Sequence, residues 1–77
     1  MKSTETPLTQ IPFESMLKDH SKSLRMLAMQ LTRNTDDAKD LVQDTMLKAL
    51  RYKDKFNEGS NLKAWLFTIL RNSFINQ

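Results

Sequence analysis

Apolar positions recur at helical spacing in three stretches of the chain. In the first, Phe13, Met16, Leu17, Leu24, Leu27 and Leu31 form a stripe, with Ala28 beside it. Pro12 suits the first turn of this helix, where its missing N–H costs nothing. His20 falls in the gap between Leu17 and Leu24, a place for packing at a helix edge rather than for catalysis or metal binding. The spacing predicts one helix from about residue 13 to Arg33.

Asn34-Thr35-Asp36-Asp37 then gives a strong start signal. Asn34 or Thr35 can cap free N–H groups, and the aspartates favour the positive end of the helix dipole. The second helix is predicted to run to about Tyr52. At about 100° per residue, Ala38, Leu41, Val42, Thr45, Ala49 and Tyr52 share one face, expected to pack on the first helix. Asp36, Asp40, Gln43 and Leu47 lie nearly opposite, with Asp44 at the flank. Lys53 to Asn61 holds the only glycine, Gly59, in a run of loop-forming residues. Ser60 or Asn61 can cap a third helix, predicted from Leu62 past Phe74. Its apolar arc is wide: Leu62, Trp65, Leu66, Phe67, Ile69, Leu70 and Phe74. No strand-like alternation and no repeat occurs. The expected fold is all-α, a small three-to-four-helix bundle. The pattern is still helical at Ile75, so a fragment of a larger protein is expected.

A length of 77 residues fits one domain. Residues 1–11, rich in Thr, Ser, Pro and Lys, read as a flexible N-terminal tail, and residues 12–77 as the folded domain. The chain has no cysteine, so it has neither a disulfide framework nor a thiolate metal site. That composition fits a cytoplasmic protein. No apolar run approaches the roughly 20 residues that cross a bilayer, and no signal peptide is read, so no membrane insertion is expected.

Charge is distributed unevenly. Residues 1–46 carry six basic and seven acidic side chains, a net of −1; residues 47–77 carry six basic and two acidic, a net of +4. The basic excess lies in the loop and third helix, where phosphate can be met, although a solvated basic surface has the same signature. Catalytic chemistry is sparse. There is one histidine, one glycine and no cysteine, so no phosphate cradle and no nucleophile–base pair is legible. Asp36, Asp37, Asp40 and Asp44 sit on a helix, not in calcium-loop spacing. No enzyme activity, cofactor or metal is expected.

Two surfaces stand out. Leu47 sits among Asp40, Gln43 and Asp44, away from the predicted core. It reads equally as an ordinary exposed leucine or as an apolar anchor in an acidic rim suited to an arginine-rich helix. On the third helix, Trp65, Ile69, Asn72 and Asn76 project along one line. Asparagine amides can donate to and accept from a base edge. Lys63 and Arg71 can meet phosphate, and Lys53, Lys55, Asn57, Ser60 and Asn61 can surround an extruded base, with Phe56 as a wall. The competing reading makes Trp65 a core residue and Phe56 a plug at the end of the helix pair.

These residues carry a family resemblance. The run from Asp36 to Asp44, DDAKDLVQD, resembles the DAEDLVQE signature of bacterial RNA polymerase sigma factors. NLKAWLFTI from Asn61 to Ile69, with Arg71-Asn72 and Ile75-Asn76, resembles their NLRAWLFTIARNLAIN segment, at the matching distance through Lys55-Phe56. The match covers roughly residues 13–77 and resembles region 2 of the extracytoplasmic function (ECF) group of the sigma-70 family.

The resemblance implies that Asp40, Gln43, Asp44 and Leu47 contact the clamp helices of the core polymerase β′ subunit. It implies that Tyr52, Phe56, Ile69 and Asn72 line a pocket for a flipped non-template base of the promoter −10 element. Asn57 to Asn61, Ser60 included, would form the loop, and Asn76, Lys63 and Arg71 lesser DNA contacts. An anti-sigma factor is a further implied partner. The position of Tyr52 is often small in the family, so its ring would reshape that pocket. The helix-turn-helix domain for the −35 element is not among these residues, and neither is the paired aromatic wedge of primary sigma factors, which implies weaker melting. The rival reading is a helical protein-interaction module, anti-sigma-binding or dimerising, that binds no nucleic acid. A helix-turn-helix reading suits the long loop and the apolar third helix poorly.

Overall fold

A computed structural model describes residues 13–57 and 59–76. The expectations for the N-terminal tail and for Pro12 lie outside the described residues. The elements are α1 (Phe13–Asp19), α2 (Ser21–Thr32), α3 (Thr35–Arg51), a 3-10 turn (Lys53–Lys55) and α4 (Leu62–Ile75).

The first predicted helix is divided in two. At His20 the backbone takes φ −104° and ψ 3°. The His20 N–H donates to the Leu17 carbonyl three residues back, at 3.0 Å, so α1 closes with a tightened turn. The His20 carbonyl then accepts from Leu24 N–H at 3.0 Å and opens α2. No glycine or proline marks the break. His20 is half-buried at this joint. The bend leaves Phe13 in contact with Phe56 and Trp65, so tertiary packing overrides a locally continuous helical pattern.

Helix ends elsewhere follow their sequence signals. α2 ends where Arg33 enters the left-handed region at φ 55°, its N–H donating to the Met29 carbonyl at 2.8 Å. The Asn34 side chain caps α3 by accepting from Asp37 N–H at 2.9 Å, and Asp36 and Asp37 occupy its first turn. Asn34→Ala is expected to cost about 1 kcal/mol, a fall in Tm of roughly 4–8 °C in a circular dichroism melt. An unchanged melt would show that the cap contributes nothing. Asn61 caps α4 by accepting from Ala64 N–H at 3.2 Å.

The core is built by α2, α3 and α4, with α1 packed at one end. Leu24, Ala28, Thr45, Ala49, Leu66 and Leu70 are fully buried. Alanines at two of these sites let neighbouring helices approach closely, while each buried leucine contributes roughly 1.5–3 kcal/mol of transfer free energy. Thr45 satisfies its hydroxyl by donating to the Leu41 carbonyl at 2.8 Å. Ala38, Leu41 and Val42 complete the buried face of α3 as its spacing predicts. Tyr52 departs from that face. It is 43% exposed, because it is the C-cap residue at which the chain leaves α3 for the 3-10 turn.

Candidate functional site

Burying one face of α3 fixes what the other presents. Asp40 and Gln43 are exposed, and Leu47 is 57% exposed. The three lie on the side away from Ala38, Leu41, Val42, Thr45 and Ala49. Asp44, at the flank, pairs through Oδ2 with Lys48 Nζ at 3.1 Å. A half-exposed i,i+4 pair contributes little stability by itself. Lys48 does more, because it also donates to the Ser73 hydroxyl at 2.9 Å, from α3 across to α4. Ser73 is buried at 6% exposure, so this bond satisfies a hydroxyl that would otherwise be stranded. The acidic rim of α3 and the helix that carries Asn72 therefore share one ammonium group.

The loop is held from within. Asn57 Oδ1 accepts from Gly59 N–H at 3.2 Å. The Asn57 carbonyl accepts from Ser60 N–H at 2.8 Å and from the Ser60 hydroxyl at 2.6 Å. Among the described residues these bonds and the α4 cap use Oδ1 of Asn57 and of Asn61 as acceptors and the Ser60 hydroxyl as donor, and give neither asparagine NH2 group a partner. Gly59 does not use a positive φ. A Cβ there would sit 3.8 Å from Asn57 Oδ1, an ordinary contact, so the turn itself does not demand glycine.

Phe56 is half-buried in an aromatic triad. Its ring centroid lies 5.2 Å from that of Trp65 and 6.3 Å from that of Phe13. Phe13 and Trp65 meet edge-on at 6.2 Å. Geometry of this kind fixes ring orientation beyond simple burial. The loop is thus pinned to both α1 and α4. Phe56 plugs the end of the helix assembly, at the start of the loop.

On α4, Ile69 is half-buried, and Arg71, Asn72 and Asn76 are exposed. Lys63 is exposed but held over the Phe67 ring, 5.6 Å from its centroid. It lines a cleft of about 210 Å³ with Ser23, Met26, Leu27, Gln30 and Phe67, against α2. Nine residues at about 100° each place Lys63 half a turn round α4 from Asn72, so these two side chains do not share a face. A second cleft, of about 350 Å³, lies between α1 and the 3-10 turn and is lined by Phe13, Met16, Lys53, Asp54 and Phe56. Asn72 lines neither cleft. Sequence spacing does not single out Lys48 or Phe13 as neighbours of these surfaces. Lys48 stands four residues after Asp44, a legible pair, whereas the contact of Phe13 with the loop joins positions 43 residues apart, and no local spacing signals it.

Among the described residues no cluster of His, Asp or Glu is arranged to hold a metal ion. No helix there is long and apolar enough to cross a membrane.

Known proteins resemble this arrangement. The sigma-70 region 2 family profile matches residues 16–77. The ECF RNA polymerase sigma factor EcfG of Rhodopseudomonas palustris is 62% identical over 52 residues, which are 68% of this chain and 29% of that protein. The RNA polymerase sigma factor YlaC of Bacillus subtilis is 33% identical over 63 residues, 82% of this chain and 36% of that protein. This chain therefore spans about a third of the length of these relatives. A crystal structure of the sigma factor RpoE with the anti-sigma factor NepR, from Bartonella quintana, superposes with a TM-score of 0.79 at 52% identity, covering 84% of this chain and 41% of that one. By fold, by profile and by relatives, the chain belongs to the sigma-70 region 2 family, in its extracytoplasmic function group.

Proposed function

We propose that the chain acts in transcription initiation in the cytoplasm, binding core RNA polymerase through α3 and the promoter −10 element through the loop and α4. The observation that carries this reading is the exposed face of α3. Leu47 stands 57% exposed beside exposed Asp40 and Gln43, on a helix whose other face is core. An apolar anchor inside a rim of acceptors suits an arginine-bearing helix, since the forked guanidinium matches carboxylates. The β′ clamp helices are the partner that family membership suggests. Asp44 joins this rim with its side chain oriented by Lys48.

The second half concerns a flipped non-template base. Tyr52, Phe56, Ile69 and Asn72 would surround it, with Asn57, Ser60 and Asn61 shaping the loop. Unstacking a base costs a few kcal/mol, which stacking and edge hydrogen bonds offset. Asn76 and Arg71 lie on or beside this face of α4. Lys63, on the far side, would act on DNA through its charge alone, adding salt-sensitive affinity. No bond is made or broken. The anti-sigma factor bound to the Bartonella relative suggests that a partner of that kind also engages this domain.

The test is titration with a −10 non-template single strand, intact or abasic at one position at a time. The reading requires preference for an intact base, reduced about tenfold by Asn72→Ala with the melt unchanged. A protein-interaction module predicts no base preference at all, and that result overturns the DNA half.

A further inference from the structure

The cleft between α1 and the 3-10 turn shares only Phe56 with the residues proposed above to contact polymerase or DNA. Its volume, about 350 Å³, falls at the small end of the roughly 300–1,000 Å³ range of small-molecule sites. Its lining is chemically mixed. Phe13 and Phe56 supply aromatic walls, Met16 a polarisable thioether, Lys53 an ammonium group and Asp54 a carboxylate. Lys53 and Asp54 are exposed, and among the described residues neither side chain is engaged in an ion pair.

From this lining we propose that the cleft is a second nucleobase subsite, which takes the nucleotide next to the captured one. The inference rests on the base-capture reading above. Phe56 divides the two sites: one ring borders the loop and α4, and the same residue lines the cleft on the α1 side. The contacts with Phe13 at 6.3 Å and Trp65 at 5.2 Å hold that dividing wall in place. A flat ring entering the cleft meets aromatic surface, which favours stacking whatever the base. Asp54 then selects. A carboxylate accepts from an exocyclic amine, as on cytosine N4, and repels the carbonyl oxygen that thymine presents in its place. It also repels phosphate, so a base edge rather than the backbone faces it. Lys53 stands beside it to meet the phosphate. The expected occupant is an amine-bearing base, cytosine or adenine, in preference to thymine.

The experiment uses −10 non-template single strands in which each position beside the Asn72-dependent one is in turn cytosine, thymine or abasic. Affinity is read by fluorescence anisotropy, and cleft occupancy by the methyl resonance of 13C-labelled Met16. One neighbouring position should favour cytosine over thymine about fivefold. Asp54→Asn should abolish that preference, because its amide can also donate to thymine, while leaving the Asn72-dependent position unchanged. The Met16 methyl should shift with the intact strand and not with the strand abasic at that position. A Met16 resonance that stays fixed, or that moves equally for both strands, overturns the subsite even where Asn72-dependent preference is present. Unchanged cytosine preference in Asp54→Asn overturns the selecting role of the carboxylate. Loss of base preference at every position in the wild-type chain would instead remove the base-capture reading, and this inference with it.

Discussion

Leu66→Ala is expected to lower the melting temperature by roughly 10–30 °C. Leu66 is fully buried on α4, where α4 packs on α3 and α2. Truncation removes apolar contacts and leaves a cavity, typically about 2–5 kcal/mol in all. A chain of this size is stable by roughly 4–12 kcal/mol, so much of that margin goes. Leu47→Ala is the matched control. It removes the same atoms from a 57% exposed position on α3, and the melt should move by less than about 2 °C. A fall below about 5 °C for Leu66→Ala would show that α4 is not seated in the core as described.

Asp40→Arg carries the second large effect, on binding rather than folding. Asp40 is exposed on α3, so reversing its charge should leave the melt unchanged within about 2 °C. Against an arginine-bearing clamp helix it replaces attraction with like-charge repulsion. Capture of a β′ clamp-helix fragment should weaken more than about tenfold at low salt, and less at high salt as the charges are screened. Gln43→Ala and Leu47→Ala should weaken capture through a lost hydrogen bond and a lost apolar anchor. Wild-type capture by all three variants would remove α3 from the account.

What could be read from sequence was whatever depends on neighbours three or four residues apart. The buried face of α3 is such a case: Ala38, Leu41, Val42, Thr45 and Ala49 announce it by spacing, and Asn34 announces its start. Exposure of Asp40, Gln43 and Leu47 follows from the same geometry. The break at His20 was not legible, because Leu17 and Leu24 keep helical register across it and no glycine or proline intervenes. Periodicity places Tyr52 on the buried face because it does not say where a helix stops. Its exposure follows from the turn into Lys53–Lys55. Contacts distant in sequence were hidden altogether. Phe13 reaches Phe56 and Trp65 only after the chain has folded back, and Lys48 reaches Ser73 across two helices. Both change the picture of the site: one anchors the loop, and the other ties the acidic rim of α3 to α4.

That two different faces of one small bundle serve as docking surfaces is tested most directly by amide NMR of the 15N-labelled chain, titrated first with a β′ clamp-helix fragment and then with the −10 non-template strand. The account predicts that the fragment perturbs Asp40, Gln43, Asp44 and Leu47, and that the strand perturbs Phe56 to Asn61 and Asn72 with little overlap. Perturbations confined to α2, or none from either ligand, would contradict it.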